Sequence, residues 1–316
     1  MSIAIMCSGG DCAGMNPAIK TFVERALEFK QKPYFIYDGL EGLIDNNIKL
    51  ASHKDVSGIM HRGGTIIRSS RSKRFFEPKW RKIAYENLKM LGIDKIVILG
   101  GDGSFRALEK FYEEFKVSFA GIPSTIDNDI FGTDYCLGVD TALNVIRISI
   151  DQIRDTASSF KRAFVIETMG RSCGYLALIS AVTSGAEVCI IPELEYDLKS
   201  LEHKLKGNRN YILCVVSEGS KATTKIANWL EKDIGMQSRV TILGHTQRGG
   251  NPTVYDRLMA FEFARLAVDR LIKNEKTDEV VVYKDGKFEF VKIKYINSEK
   301  IEIDSKLLEL ADRMVK

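Results

Sequence analysis

Two carboxylates follow a predicted strand in the segment PSTIDND, residues Pro123 to Asp129. Alternate residues of an extended segment point the same way, so we expect Asp127 and Asp129 to face one site. One carboxylate could hold a divalent cation while the other accepts a hydroxyl proton, which is the arrangement that phosphoryl transfer needs. Capping of an Asx turn is the alternative interpretation of this short segment.

A glycine-rich turn, GGDGS from Gly100 to Ser104, stands between a predicted strand at 95–99 and a predicted helix. Adjacent glycines let backbone N–H groups approach phosphate oxygens, and the helix N-terminus adds positive potential. Asp102 in this turn is placed to hold Mg²⁺, which takes oxygen ligands. The turn is not a Walker A loop, because no Gly-Lys-Ser or Gly-Lys-Thr follows. An ordinary left-handed turn with a solvated aspartate is the alternative.

A second glycine turn, SGGDCAGMN from Ser8 to Asn16, follows a predicted strand at 2–7. Asn16 and Pro17 are predicted as the N-cap and first residue of the next helix. Gly10 has no side chain and could admit a polyphosphate. A tight strand-to-helix turn is the alternative for this segment alone, but two such turns in one chain are a stronger indication.

Several basic residues lie in or beside the polar turns. Their guanidinium groups suit phosphate because the planar fork donates two hydrogen bonds at once. The segment GHTQRGG adds His245, although a lone histidine is more often structural than functional. The basic segment from His61 to Lys82 is interpreted as a solvated loop beside an anionic nucleotide rather than as a nucleic-acid stripe. The arginines at the turns are Arg71, Arg162, Arg171, Arg239 and Arg248.

Short β-branched runs alternate with helical patterns along the chain, and the polar motifs follow the runs one after another. This alternation predicts an α/β protein with largely parallel sheets flanked by helices. A length of 316 residues suits two domains. Ligands of such sheets bind beyond the carboxyl ends of the strands, where these motifs fall. Lys284-Asp285-Gly286-Lys287, between two alternating runs, predicts a β-hairpin.

The composition excludes several classes of protein. With 45% hydrophobic and 28% charged residues, the chain is an ordinary globular protein and not a disordered or collagen-like one. A net charge of +4 does not indicate a nucleic-acid partner. No apolar run reaches the roughly 18 residues of a membrane span, and no secretory signal is visible. The six scattered cysteines form no CxxC pair, so we expect reduced thiols and a cytoplasmic location.

Six motifs, in order and spacing, resemble the 6-phosphofructokinase family in its ATP-dependent, bacterial type. They are SGGDCAGMN, GGDGS, PSTIDND, GTDYCLGVDTA, ETMGRSCGYLA and GHTQRGGNP. The resemblance implies a glycolytic kinase that transfers the ATP γ-phosphate to the 1-hydroxyl of fructose 6-phosphate. It also implies the phosphofructokinase fold and an allosteric homotetramer with active sites shared between subunits. Residues 1–137 with 250–300 would bind ATP, and residues 138–249 with 301–316 would bind fructose 6-phosphate.

The resemblance also assigns residues. Asp127 looks like the catalytic base, Thr125 should contact the transferring phosphoryl group and Arg171 should steady it. Asp102 resembles the Mg²⁺ ligand, supported by Asp129. The nucleotide positions are Gly10, Arg71, Ser72, Gly101, Asp102, Gly103 and Ser104. The substrate positions are Thr125, Asp127, Arg162, Met169, Gly170, Arg171, Glu218, Arg239, His245 and Arg248, of which Arg162 and Arg239 would come from a neighbouring subunit.

Some positions depart from the family pattern. Leu40 stands where an aromatic residue is frequent, Phe76 where a basic residue is common, and Ser124 where ATP-using members carry glycine. The pyrophosphate-using branch typically has aspartate at the position of Gly103 and lysine at that of Ser124. A carboxylate at position 103 would repel the ATP α-phosphate, so Gly103 favours ATP.

The effector site of the family departs further. Lys20 and Glu24 stand at two positions that are usually arginine, and Asn47 stands at a third position of this site. We therefore expect weak activation by ADP and weak inhibition by phosphoenolpyruvate. The alternative is that the neighbouring Arg25 and Lys49 take over the role.

Two other functions compete with this interpretation. Another GGDG kinase, such as an NAD or diacylglycerol kinase, shares the Gly-Asp turn but does not explain PSTIDND or GHTQRGG. A non-catalytic sensor on the same fold would lack the base or the metal residue, whereas Asp127 and Asp102 are both present.

Overall fold

A computed structural model describes residues 2–205, 209–273 and 276–314. The chain divides into two compact units, the first formed by Met1–Asp140 with Arg248–Ile301 and the second by Thr141–Gln247 with Glu302–Lys316. The predicted domain boundaries, after residues 137, 249 and 300, lie one to three residues from these. Arg248, which the prediction put in the second domain, belongs to the first unit.

The strands and helices follow the predicted alternation. The strands of the described residues are β1 (Ser2–Ser8), β2 (Lys32–Ile36), β3 (Ile48–Leu50), β4 (Ser69–Ser70), β5 (Ile93–Gly100), β6 (Ser118–Pro123), β7 (Ala163–Thr168), β8 (Val188–Ile190), β9 (Ile212–Ser217), β10 (Ser238–Ile242), β11 (Asp278–Lys284) and β12 (Lys287–Lys292). The helices are α1 (Met15–Glu28), α2 (Gly39–Ile44), α3 (Pro78–Met90), α4 (Asp102–Phe115), α5 (Val139–Phe160), α6 (Tyr175–Ser184), α7 (Leu198–Leu205), α8 (Thr223–Lys232), α9 (Val254–Lys273), α10 (Ile293–Ile296) and α11 (Ser305–Met314).

The sheet of the first unit has the order β12-β11-β6-β5-β1-β2-β3, with β4 beside β1. Strands β11, β6, β5, β1 and β2 run parallel, while β12 and β3 are antiparallel edge strands. The central strands β1 and β5 are almost wholly buried. Their sequences are therefore continuous apolar runs and do not alternate between apolar and polar residues. Their carboxyl ends therefore meet at one edge, where the two glycine turns begin.

The second unit is built on a smaller sheet of order β10-β7-β9-β8, in which every neighbour is parallel. A core of buried side chains, including Val165, Cys214 and Trp229, joins this sheet to α8. The prediction of an α/β protein with mostly parallel sheets flanked by helices is confirmed. None of the helices in the described part of the chain has the length and apolar character needed to cross a bilayer. All six cysteines are described and are free thiols, as expected.

The predicted hairpin is confirmed and the predicted helix cap is wrong. Asp285 and Gly286 both have positive φ between the antiparallel strands β11 and β12, as the residue types of a tight turn require. Helix α1, by contrast, is preceded by Gly14 in the left-handed region and begins before Asn16. The side chain of Asn16 is buried and bonds a distant loop, so a tertiary partner outweighs its local capping preference.

Candidate active site

The two glycine turns lie side by side because β1 and β5 are neighbours. Ser8 at the end of β1 pairs in register with Gly100 at the end of β5. The Ser104 hydroxyl links the two turns, with Oγ 3.0 Å from the carbonyl oxygen and 2.8 Å from the hydroxyl of Ser8. A Cβ at Gly100 would lie 2.7 Å from the Cβ of Ser104, so this close approach requires glycine.

The N-terminus of α4 opens onto this edge of the sheet. Gly101 precedes the helix and no side chain caps it, which leaves the first backbone amides to other acceptors. Asp102 begins the helix, and its carboxylate accepts a hydrogen bond of 2.9 Å from Arg106 Nε. Gly103 is exposed and a Cβ there would meet no atom within 4 Å. Packing therefore does not demand glycine at Gly103, although glycine costs a helix about 0.5–1 kcal/mol relative to alanine.

The guanidinium of Arg248 occupies the volume that a side chain at residue 10 would need. The Arg248 guanidinium lies against Gly10, and its Nη1 donates a hydrogen bond of 3.0 Å to the carbonyl oxygen of Asp11. Gly10, predicted to contact the nucleotide, and Arg248, predicted to contact the sugar phosphate, are therefore neighbours in the first unit.

The loop that carries Arg71 and Ser72 is fastened to the first glycine turn. The Asn16 amide donates to the carbonyl oxygens of Arg62 and Gly63, each at 3.1 Å, and accepts from the N–H of Ile66 at 2.8 Å. Further along, β4 pairs with the end of β1. These bonds place the backbone before the exposed Arg71 beside the first glycine turn.

The interpretation of the basic segment from His61 to Lys82 as a solvated loop is wrong in part. Arg68 is exposed, as expected, although it forms an ion pair with Asp38 at 2.5 Å. Arg81 is only 4% exposed and donates to Glu114 and to the carbonyl oxygens of the preceding turn. Arg81 stabilises the fold through a distant acid that local sequence spacing does not reveal.

The segment PSTIDND begins beside the second glycine turn, since the N–H of Ser124 donates to the carbonyl oxygen of Gly100 at 2.9 Å. The segment is not extended as expected. Ile126 and Asp127 form a turn, in which the N–H of Asp127 donates to the Thr125 hydroxyl at 3.2 Å. Asn128 follows in the left-handed region with φ 51°. The two carboxylates thus come together through a turn, and not through strand alternation.

The carboxylates of this site interact electrostatically. Burial, followed by the charges of Asp127 and Asp102, raises the pKa of Asp129 to about 6. Among the described residues, no three His, Cys, Asp or Glu side chains converge tightly enough to hold a metal by themselves. Mg²⁺ is usually held by one or two carboxylates together with waters and substrate phosphates. Asp102 and Asp129, which repel each other without a cation, fit such an ion.

In the second unit, Met169, Gly170 and Arg171 directly follow β7, and Glu218 follows the adjacent β9. The Ser217 hydroxyl donates to the carbonyl oxygen of Gly170 at 2.7 Å. Gly170 has a φ of 125°, which only glycine adopts readily. These contacts gather the substrate positions of the two strands at one end of the sheet.

Gln247 brings the GHTQRGG segment to the same end, and the sequence alone did not single it out. Its side chain is 1% exposed, accepts a hydrogen bond from the N–H of Met169 at 3.2 Å and donates to the carbonyl oxygen of Gly244 at 3.0 Å. His245 is exposed on the 3₁₀ turn that contains Gln247. Burial with two backbone partners is the signal of a positioning role, and it is visible only in three dimensions.

Arg162 and Arg239 lie at the opposite end of this sheet. Arg162 precedes β7, and Arg239 pairs in register with Phe164 near the start of the same strand. Met169 follows the far end of β7, seven residues beyond Arg162, which is about 23 Å along a strand. The structure therefore does not bring these two arginines together with the other substrate positions of their own unit.

Most residues that depart from the family pattern contact other residues of this chain. Leu40 is buried in α2, Phe76 is 59% exposed, and the Ser124 hydroxyl bonds back to the carbonyl oxygen of Ile122 at 3.1 Å. Lys20 pairs with Glu24 at 2.5 Å, and the Asn47 amide donates to Asp38 at 2.9 Å.

Comparisons with known proteins show the family of this chain. The family model named Phosphofructokinase matches residues 2–271. A protein of Sulfurimonas denitrificans named ATP-dependent 6-phosphofructokinase is 59% identical over 312 residues, which are 97% of this chain and 98% of the relative. A protein of the same name from Wolinella succinogenes is 54% identical over 320 residues and the match covers 100% of both chains.

A solved structure, that of Pichia pastoris phosphofructokinase in the T-state, superimposes with a TM-score of 0.88 at 32% identity. The superposition covers 94% of this chain and 35% of the Pichia chain. The family match spans most of the chain, and both bacterial relatives match over almost their whole length. The chain belongs to the phosphofructokinase family.

Proposed function

We propose that this enzyme transfers the γ-phosphate of ATP to the 1-hydroxyl of fructose 6-phosphate, giving fructose 1,6-bisphosphate and ADP in cytoplasmic glycolysis. The observation that carries the proposal is the hydrogen bond from Ser124 N–H to the Gly100 carbonyl oxygen. It joins a phosphate-binding turn, GGDGS, to a carboxylate pair, Asp127 and Asp129. Phosphoryl transfer needs this combination of phosphate donors, a metal ligand and a base.

Gly103 supports ATP as the phosphoryl donor. A side chain at this position would meet open space, so the fold gives no steric reason for glycine. A bound nucleotide would explain the glycine, because its α-phosphate would lie close to the backbone and collide with a side chain here. Ser124 is small and neutral, and its hydroxyl is turned back to Ile122. It leaves the position without the positive charge typical of the pyrophosphate-using branch.

Within the first unit, Asp127 accepts the proton of the attacking hydroxyl and Thr125 contacts the transferring phosphoryl group. Asp102 and Asp129 hold Mg²⁺, which when bound neutralises phosphate charge. Gly10, Gly101, Gly103 and Ser104 line the nucleotide, with Arg71 and Ser72 donating from the neighbouring loop. The glycines keep the backbone amides accessible to the phosphates.

Residues of the second unit bind the sugar phosphate. Met169, Gly170, Glu218 and His245 lie at one end of its sheet, and Arg171 beside them steadies the transferring group. Arg248 is assigned to the sugar phosphate as well. Arg162 and Arg239 lie at the wrong end of their sheet to reach the same site, so they serve the active site of another subunit in a homotetramer. Their distance from Met169 along β7 supports this arrangement.

The enzyme responds weakly to ADP and phosphoenolpyruvate. Glu24 adds a negative charge on α1, and it is partnered by Lys20 at 2.5 Å. Arg25 is not available as a substitute, because Asp269 and Glu28 both accept hydrogen bonds from its guanidinium. The Glu24 carboxylate and the engagement of Arg25 therefore both weaken the binding of an effector phosphate at this position.

The variant Asp127→Ser tests the assignment of the base. Its kcat should fall by about 10²–10⁴, the usual effect of losing positioned acid–base help, while fructose 6-phosphate still binds. The matched control is Asp94→Ser, because Asp94 is exposed near the start of β5, away from the site. A near-normal kcat for Asp127→Ser would refute the base. A wild-type enzyme that does not phosphorylate fructose 6-phosphate would refute the function.

A further inference from the structure

We propose that Asn128 is a positioning residue, which holds Asp127 and Asp129 in their working directions without touching the substrate. The inference rests on the proposed function of these two carboxylates. It is drawn from two features of Asn128, its left-handed backbone and its buried amide, which act on the same short segment.

The backbone of Asn128 sets the direction of its neighbours. Its φ of 51° lies in the left-handed region, which costs most residues about 1–2 kcal/mol but suits asparagine. It follows the turn at Ile126 and Asp127. The relative placement of the two carboxylates therefore depends on the backbone of Asn128 as well as on this turn.

The side chain of Asn128 then fixes that conformation. It is 3% exposed, and both ends of its amide are hydrogen-bonded to backbone. Nδ2 donates to the carbonyl oxygen of Asp134 at 3.1 Å, and Oδ1 accepts from the N–H of Cys136 at 2.8 Å. A buried amide with both ends satisfied has one favourable orientation, so it fastens the carboxylate segment to residues 134–136.

Residues 134–136 are themselves held firmly. The fully buried carboxylate of Asp256, on α9, accepts hydrogen bonds from the Tyr135 hydroxyl and from the N–H of Gly138, the latter at 2.7 Å. The Thr133 hydroxyl bonds to the carbonyl oxygen of Tyr283 on β11 at 3.2 Å. Asn128 therefore connects the carboxylates to a segment that is hydrogen-bonded to α9 and β11.

Loss of this connection should slow the reaction more than it weakens binding. A displacement of about 1 Å in a reacting group can cost about 10²-fold in rate. Binding of ATP and fructose 6-phosphate depends mainly on other groups, so their KM values should change little. A purely structural asparagine would instead lower stability and leave the kcat of the folded enzyme unchanged.

The experiment compares Asn128→Ala and Asn128→Gly in the full-length enzyme, with kcat, both KM values and the thermal midpoint measured for each. Alanine removes the amide and disfavours the left-handed backbone, whereas glycine removes the amide only. We expect kcat to fall about 10²-fold for alanine and about tenfold for glycine, with KM values near wild type. The matched control is Asn87→Ala.

Asn87 suits the control because it is also buried and also bonds backbone, donating at 2.9 Å to the carbonyl oxygens of Leu43 and Ile44. Its loss should lower the thermal midpoint and leave kcat within about twofold. The proposal is overturned if both Asn128 variants keep kcat within about twofold of wild type, or if only KM rises. A wild-type enzyme without fructose 6-phosphate kinase activity would instead overturn the proposed function.

Discussion

The guanidinium of Arg248 occupies the volume that a side chain at Gly10 would need. A Cβ at residue 10 would lie 2.3 Å from Arg248 Nη1, the atom that donates to the Asp11 carbonyl oxygen at 3.0 Å. A glycine assigned to the nucleotide and an arginine assigned to the sugar phosphate thus share one space. The missing side chain at Gly10 makes room for Arg248.

Gly10→Ala should therefore impair the enzyme through Arg248. The added methyl group displaces the guanidinium, which is the flexible end of its side chain, so the fold should survive. We expect the KM for fructose 6-phosphate to rise about tenfold or more, the usual effect of losing a charged hydrogen bond. Steady-state kinetics and thermal unfolding, measured on the same preparation, check this. An unchanged KM for fructose 6-phosphate would contradict the role given to Arg248.

Gly103→Asp should separate folding from nucleotide binding. The position is open in the structure, and an aspartate in the first turn of α4 suits the helix dipole, so stability should stay equal or rise slightly. The KM for ATP should rise by about tenfold or more, because the new carboxylate repels phosphate at close range. Gly103→Ala is the control for bulk without charge. An unchanged KM for ATP in the aspartate variant would refute the placement of the nucleotide.

Mixed oligomers test the sharing of active sites between subunits. Arg162→Ser and Asp127→Ser should each be inactive alone. An interface between the two variants contains one site with both residues intact, so purified hybrids should regain activity. Hybrids of Arg162→Ser with Arg239→Ser are the control, because both arginines of a site come from the same neighbouring subunit and no site is restored. If hybrids of Arg162→Ser with Asp127→Ser show no activity, the active sites are not shared between subunits.

The sequence was sufficient for the regular parts of the fold because these depend on local patterns. Buried runs such as β1 and β5 were recognisable from their apolar residues, and the hairpin from Asp285 and Gly286, whose residue types suit positive φ. The glycine turns and the carboxylate motif were likewise recognisable as candidate chemistry from residue type and spacing.

Features that depend on distant partners could not be predicted. Asn16 reads locally as a helix cap, yet it bonds the loop at Arg62 and Gly63. Arg81 reads as a solvated cation, yet Glu114 on another helix holds it in the interior. The amide of Asn128, which follows the turn at Asp127, bonds backbone partners that lie six and eight residues further along.

The ion pair of Arg270 with Glu279 predicts a pH-dependent stability. Hydrogen bonds from Arg270 are the main cause that lowers the pKa of Glu279 from 4.5 to about 2, and the side chain is 9% exposed. Because the folded pKa lies below the unfolded one, the pair stabilises the fold above pH 4.5, and this stabilisation is lost as the pH falls towards 2.

Glu279→Gln should thus lower the free energy of unfolding by about 1–3 kcal/mol at neutral pH. The difference from wild type should shrink as the pH falls through the window between the two pKa values. Denaturant unfolding across this range measures it. Glu262→Gln is the control, since Glu262 pairs with Arg265 at the surface and should change stability by less than about 1 kcal/mol. A difference that does not depend on pH would contradict the assigned pKa.

The choice of phosphoryl donor tests the central claim most directly. Wild-type enzyme with Mg²⁺ and fructose 6-phosphate should be supplied in parallel with ATP and with pyrophosphate at equal concentrations, and the product identified by phosphorus NMR. The account predicts turnover with ATP, a new phosphate on the 1-hydroxyl, and a lower rate with pyrophosphate. A rate with pyrophosphate that equals or exceeds the rate with ATP would contradict it.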